Sequence, residues 1–233
     1  MLIIKGIITI FFQAIFFGIM LLVPAALLTD GSWYWERAIY FLIGYLILVE
    51  ILVIWLAIKA PAGLEARYKV RAKKEKQPKA DKILLPLLSI SFLVILFIIP
   101  VDVFYLQFLP KPNLIWSITG AVLIFFGLLG NVGSIYSNAF ITPTVQDQTD
   151  EGQKVADTGV YSIVRHPMYA SLILLFGGMA LWLESWLGVI ALLPMLLVMI
   201  IRIGIEEKTL KAALPEYLPY MKKVKYRLLP FIW

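Results

Sequence analysis

What this chain can fold into is limited first by its apolar runs, which recur six times, over residues 2–28, 33–58, 83–109, 114–140, 168–183 and 186–201. About 20 apolar residues rising 1.5 Å each cross a hydrocarbon layer of about 30 Å. A backbone in lipid must satisfy its own hydrogen bonds, which leaves helices or closed barrels. Runs of this length read as helices, so the expected fold is all-α: a polytopic integral membrane protein with about six membrane helices. The first four runs are long enough to span. The last two, at about 16 residues each, are separated only by Glu184 and Ser185 and read as a tight C-terminal helical hairpin that tilts or stops short of the far side. The 61% hydrophobic and 15% charged residues leave too little polar surface for a water-soluble protein of this size. The first run reads as a retained helix, because it is too long for a signal peptide and "TDGSWYWER" behind it is a turn, not a small-residue cleavage site.

Lysine and arginine give the orientation. The loop 59–82 carries nine of them and the chain from Arg202 onward seven. With alternating spans, Lys5, Lys154 and Arg165 join the same side, and only Arg37 and Lys111 fall opposite. Such a bias predicts that both termini, both long loops and any site built from them face the cytoplasm. The formal charge of +6 is therefore a topology signal with a possible anionic-lipid contact, and no nucleic-acid partner is expected.

Composition also removes chemistries. There is no cysteine, hence no disulfide, thiolate nucleophile or thiolate metal site, and a single histidine leaves no basis for a metal centre. Four ionisable residues stand in or beside apolar runs, where charge is costly without a partner or water. Asp102 follows Pro100, so a helix break at the outer interface is expected to put it in water. Glu50 lies nearer mid-span, and pairing, protonation and a cavity all stay open. Glu184 belongs to the hairpin turn. Arg202 and Glu206 stand at i and i+4, within ion-pair reach on one helix face, with Glu207 about 100° further round.

One stretch concentrates loop chemistry, "ITPTVQDQTDEGQKVADTGVYSIVRHPMY", and it holds the lone histidine, His166. Pro167 suits the first turn of the fifth helix. Arg165 and His166 would then precede a helix N-terminus, which favours anions.

Taken together, "TGVYSIVRHPMYASLIL", an apolar hairpin of about thirty residues, "RIGIEEKTL" and "YLPYMKKVKYRLLPFIW" resemble the isoprenylcysteine carboxyl methyltransferase family and its prokaryotic relatives. The shared features are Gly-x-Tyr leading into Arg-His-Pro-x-Tyr, an Arg-x-x-x-Glu-Glu helix after the hairpin, and a basic aromatic tail. The resemblance runs from Asn138 to Trp233. It divides the chain into four N-terminal spans (1–140) and a methyltransferase core of loop, hairpin and C-terminal helix (141–233). Many members have Gly where this chain has Ser171. The resemblance implies a membrane-embedded methyltransferase using S-adenosylmethionine, without a Rossmann domain, and no Gly-x-Gly-x-x-Gly follows a strand here. It implies that His166 and Tyr169 contact the cofactor, that Gly159, Val160 and Tyr161 shape the wall beside it, and that Leu210 and the tail close over the adenosine. Glu207 belongs to the acidic pair of the last helix. Arg202 and Glu206 would face the reacting atoms as the catalytic pair, and Arg165 with the helix start at Pro167 would suit the cofactor's carboxylate. The implied acceptor is lipophilic and comes from the bilayer: a prenylcysteine-like carboxylate for O-methylation, or a lipid amine or thiol. An NADPH-dependent sterol-type reductase with a related His-Pro-x-Tyr hairpin is the alternative, and a non-catalytic membrane protein the second.

Overall fold

The computed structural model describes residues 2–68 and 77–233. Among these the chain is all-helical, and the nine α-helices run α1 Leu2–Leu28, α2 Glu36–Lys59, α3 Pro61–Tyr68, α4 Asp81–Val101, α5 Leu114–Ser137, α6 Pro167–Trp182, α7 Trp186–Ile190, α8 Leu192–Ala213 and α9 Tyr217–Lys223. Five stretches are long and apolar enough to cross a membrane: α1, α2, α4 with the turn after it, α5, and α7 with α8. The chain is an integral membrane protein. Large side chains such as Phe12, Ile83, Ile115 and Leu197 stand exposed along these helices, where lipid takes the place of water. Five of the nine basic residues in loop 59–82 (Lys69, Arg71, Lys73, Lys74 and Lys76) lie outside the described residues.

The spans fall close to where hydropathy puts them, with one correction at the hairpin. Its first arm, α6, has 16 residues and is short, as expected. Its second arm is not: α7 and α8 extend from Trp186 to Ala213, well past residue 201. Leucine, lysine and glutamate in "RIGIEEKTLKAA" are good helix formers, so the helix continues beyond the point where hydropathy falls. That extension carries Glu206, Glu207 and Leu210 out over the end of the bundle.

The core lies between α1, α2, α4, α6 and α8. Phe17 of α1 sits at its centre, with the rings of Tyr45, Phe92 and Phe41 at 5.1, 6.0 and 6.2 Å, and Ile99, Met179 and Met199 are fully enclosed beside it. The helices α5 and α6 pack closest of all. A Cβ added at Gly178 would stand 2.6 Å from the Gly120 carbonyl oxygen, and one at Gly127 would stand 2.8 Å from the Leu175 nitrogen. Small residues are what let two backbones approach this closely in lipid. Ser171 joins the same seam, its hydroxyl donating to the Pro167 carbonyl (2.7 Å) in space that Gly130 leaves free. The methylene and hydroxyl absent from the relatives with Gly are thus accommodated from α5.

At the end of the bundle where the hairpin turns, a polar clasp overturns the expectation for Asp102. The chain passes Pro100 without a break and widens into a π-helical turn, Asp102–Leu106. The Asp102 carboxylate is buried and accepts from Ser185 Oγ (2.7 Å) and from the backbone N–H groups of Leu187 and Phe108 (both 3.1 Å). A carboxylate can leave water when donors replace the lost hydration. Arg37 of α2 locks the same turn by pairing with Glu184 (2.9 Å) and donating to the Trp182 carbonyl (3.2 Å). Glu50 has no ion-pair or hydrogen-bond partner among the described residues. The opposite end gathers the start of α1, the end of α2, α3, the end of α5 and the RHP segment, through contacts among Leu2, Leu56, Leu64, Ile135 and Met168, and the N-terminus of α4 joins it through the Asp81–Arg202 pair.

Candidate active site

A cavity opens at that second end, enclosing about 190 Å³ of water-accessible space. Its floor is apolar, with Leu85 and Leu88 from α4 and Leu172 from α6; its upper wall is polar and aromatic. Of the residues singled out in the sequence, Tyr161, Arg165, His166, Pro167, Tyr169, Arg202, Glu206 and Leu210 line this one space. Gly159, Val160 and Glu207 do not.

Each position has a local cause. Gly159 adopts φ +57°, the left-handed region where a side chain is strained, and an added Cβ would also strike the Ser137 hydroxyl. This turn delivers Tyr161. Pro167 opens α6 at the first helical position, where its missing N–H costs nothing, and Tyr169 follows in the first turn. The RHP backbone is fixed from the other side by the tail: Arg165 N–H donates to the Tyr226 carbonyl and His166 N–H to the Arg227 carbonyl (both 2.9 Å). The tail therefore folds back over the histidine, and Tyr217 and Tyr220 of α9 complete the wall. Tyr220 is held by donating to the Tyr161 carbonyl (2.8 Å). Burial pushes the phenols of Tyr161, Tyr217 and Tyr220 well above the usual tyrosine range, so all three are neutral donors.

The charged groups pair differently from their sequence spacing. Arg202 does not ion-pair with Glu206. Its Nε donates to Asp81 Oδ1 (2.7 Å), and its Nη2 donates to the Pro143 carbonyl. Asp81 is fully buried and also accepts from Gln77 Nε2 (2.7 Å) and Val145 N–H (3.0 Å). The i,i+4 spacing made a local pair possible, but a rigid buried carboxylate with three donors offers more than a flexible neighbour at the helix surface. Glu206 is left to accept from the Tyr169 hydroxyl (2.9 Å), with His166 Nδ1 at 3.9 Å.

Glu207 lies beneath the histidine as a hub instead of facing the cavity. Its carboxylate accepts from Arg165 Nε (2.8 Å) and from Arg227 Nη2 (3.0 Å) and Nε (3.1 Å), and stands 3.4 Å from His166 Nε2. Arg165 also spends its Nη1 on the carbonyls of Val224 and Lys225 (2.7 and 2.8 Å). Its guanidinium ties the RHP segment to the tail, which leaves little of it for a ligand carboxylate.

Sequence reasoning missed Arg67, Asp81, Gln146 and Tyr217, all at the site. Asp81 is a single acid before an apolar run, and Arg67 is one of many basic residues in a loop; neither has a distinguishing local pattern. Gln146 and Tyr217 matter for another reason. The Oε1 of Gln146 and the hydroxyl of Tyr217 are buried and have no hydrogen-bond partner among the described residues, and both residues line the cavity. Buried polar atoms are rarely left this way, and these two present an acceptor and a donor to whatever fills the space. Among the described residues no cluster of His, Asp or Glu has metal-binding geometry.

Residues 115–216 match the phospholipid methyltransferase family. It is one family within the isoprenylcysteine carboxyl methyltransferase-like integral membrane methyltransferases, and with the apolar helices the match, which covers less than half of the chain, supports a membrane methyltransferase. The matched region begins with α5, earlier than the resemblance read from Asn138 onward, and stops at the threshold of α9. Arg67, Asp81, Tyr217, Tyr220 and Arg227 therefore belong to the site yet lie outside the match. No curated protein matches the chain at a significant level.

Proposed function

We propose that the protein is an S-adenosylmethionine-dependent methyltransferase whose acceptor is a lipid amine entering from the bilayer. The observation that carries this reading is the convergence of His166, Tyr169, Arg202 and Glu206 on a cavity with polar walls and a leucine floor. The donor set suits the cofactor: the unpartnered Gln146 Oε1 and Tyr217 hydroxyl match a polar adenosine, and the rings of Tyr161, Tyr169 and His166 suit a sulfonium cation. His166, Tyr169, Tyr161, Pro167, Leu210, Gln146 and Tyr217 would hold it. Gly159 and Val160 act by setting the turn that carries Tyr161, and Glu207 and Arg165 by fixing the histidine and the tail. The core 141–233 is completed by α3 and α4 from the N-terminal part. By the distribution of Lys and Arg, both termini and the cavity face the cytoplasm.

When bound, S-adenosylmethionine supplies an electrophilic methyl group, so the protein's task is to bring two reactants into line and exclude water. Arg202 is already neutralised by Asp81, which weakens its suitability as a fork for a substrate carboxylate. Among the described residues Glu206 has no cationic partner within ion-pair distance other than the histidine, so the reacting face favours an ammonium over a carboxylate. Glu206 takes the ammonium proton and frees the lone pair, while Tyr169 holds the glutamate in place through its hydroxyl. The apolar floor of Leu85, Leu88 and Leu172 suits the acyl chains.

Calorimetric titration of S-adenosylmethionine, S-adenosylhomocysteine and, separately, NADPH into detergent-purified protein tests this reading, with His166→Ala as control. Saturable binding of the first two that weakens tenfold or more in the variant is expected (about 1.4 kcal/mol). Binding of NADPH alone would establish the reductase alternative, and binding of none of them by folded protein would overturn an enzymatic role for the cavity.

A further inference from the structure

The most exposed large apolar side chain among the described residues is Phe231, at 87%, and its neighbours Ile232 and Leu229 stand out at 77% and 47%. None of the three belongs to a spanning helix; all lie in the chain beyond α9. Three large apolar side chains clustered within four residues make a patch that water disfavours. Phe231 also adopts φ +67°, in the left-handed region, which a bulky residue takes only at a cost in energy. The turn thus accepts backbone strain and holds an aromatic ring outward. Apolar surroundings for that ring would offset the cost.

The place of the turn in the fold supplies those surroundings. Leu228, at its head, is buried in the hydrophobic cluster of the bundle, which includes Tyr169 of α6 and Ile203 of α8, and Trp233, at its foot, packs against the same cluster. Backbone bonds close the segment on itself. The N–H groups of Arg227 and Leu228 donate to the Trp233 carbonyl (2.8 and 3.0 Å), and the Trp233 N–H donates back to the Leu229 carbonyl (3.2 Å). Its level is set by the RHP segment, because the Arg227 carbonyl accepts from the His166 N–H, beside the first residue of α6. An apolar helix in a membrane ends where lipid gives way to water, so residues 229–232 stand at the rim of the bundle near that boundary. Lys222, Lys223 and Lys225, all exposed, precede the turn. Aromatic and aliphatic side chains beside several lysines are the composition of an interfacial anchor, the cations being drawn to anionic headgroups.

We infer that residues 229–232 form a membrane anchor, which inserts Leu229, Phe231 and Ile232 into the lipid leaflet on the active-site side and thereby keeps the tail closed over His166. The occupant of this apolar face is the bilayer that surrounds the helices, whose lipid-facing surface the turn continues. The link to the site runs through Arg227. Its Nη2 donates to Glu207 Oε2 (3.0 Å), its guanidinium lies over the Trp233 ring (5.0 Å from the centroid), and its carbonyl fixes the histidine backbone. Glu207 in turn accepts from Arg165 Nε at 2.8 Å. Lifting the turn out of lipid loosens these contacts together, so the site is most ordered when the protein sits in a bilayer. The anchor acts in this way whether or not the cavity takes S-adenosylmethionine.

The test uses full-length protein in nanodiscs of phosphatidylcholine and phosphatidylglycerol. The chain has no cysteine, so Ile232→Cys takes a single nitroxide label. Phe12→Cys on the exposed face of α1 and Lys211→Cys at the exposed end of α8 serve as lipid and water references. The label at 232 is expected to relax faster with oxygen than with a water-soluble nickel chelate, as at 12 and opposite to 211. A water-like response at 232 overturns the inference. Protection from both reagents also overturns it, because it would assign the face to a second copy of the chain or another protein. In unlabelled protein, Phe231→Ser combined with Ile232→Ser should speed amide exchange over residues 224–233 by about tenfold or more, equivalent to about 1.4 kcal/mol, with exchange in α5 and α6 as in wild type. Unchanged exchange in the tail overturns the link between lipid contact and closure. Phe231→Leu combined with Ile232→Leu keeps the surface apolar and should restore slow exchange. Failure to restore it would assign the effect to the ring contact of Phe231 with Tyr226 (5.4 Å) and overturn the role of lipid.

Discussion

Removing the Asp81 carboxylate should cost more than any other single change at the site, because it leaves a buried guanidinium without its counter-charge. Asp81 is wholly enclosed and holds three donors: Arg202 Nε at 2.7 Å, Gln77 Nε2 at 2.7 Å and Val145 N–H at 3.0 Å. Two unit charges about 4 Å apart attract by about 4 kcal/mol at an effective dielectric constant near 20. Arg202 keeps its bond to the Pro143 carbonyl, which recovers part of the loss. Breaking a buried pair from one side commonly costs about 3–5 kcal/mol, and Asp81→Ala is expected in that range. Replacing both partners by apolar residues of similar shape is often nearly neutral, so Asp81→Leu combined with Arg202→Met should recover much of that loss, leaving about 1–3 kcal/mol for the buried Val145 N–H that loses its acceptor. Denaturant unfolding in detergent, followed by the fluorescence of the seven tryptophans, measures both. The reasoning fails if the double variant is as unstable as Asp81→Ala, since the loss would then come from packing at the start of α4 and not from an orphaned charge. The double variant should also lack methyl transfer, which separates stability from function at this pair.

Two further outcomes follow from the same geometry. Glu207→Gln keeps the shape of the hub but removes the charge that Arg165 and Arg227 share at 2.8 and 3.0 Å. It should destabilise the protein by about 2–4 kcal/mol and release the tail, read as faster amide exchange over residues 224–233. Alkaline pH should unfold the site. Tyr161, Tyr217 and Tyr220 have folded-state values raised above 10.0 by burial, so above pH 10 the unfolded chain loses protons that the folded one keeps. Their contribution is complete below pH 10 and falls by about 1.4 kcal/mol per group for each pH unit above it. Tyr220→Phe should flatten that slope by one proton; an unchanged slope would show that Tyr220 already ionises in the folded protein.

The positions of the helices were legible in the sequence because hydropathy is a local property: each span must match the bilayer whatever its neighbours do. So was the convergence of the RHP segment with the Glu-Glu helix, through a resemblance extending over several motifs in order. What hydropathy got wrong was the end of α8, where good helix formers carry the helix on after the apolar pattern has stopped. It also misjudged Asp102, because burial of a carboxylate depends on Ser185 and Leu187, which lie 83 and 85 residues away. Charge pairing was decided by the tertiary structure alone. Sequence spacing offered Arg202 a neighbour four residues on, while packing of α4 against α8 brought Asp81 from 121 residues away into a dry pocket, where its carboxylate outcompetes a half-buried one. Arg67 makes the same point: among twenty-one basic residues nothing in its own segment distinguishes it, and only the seating of α3 on α5 gives that one cation a cavity to face. Sequence thus determined the solvent of each helix, and tertiary structure determined which charges meet once that solvent is gone.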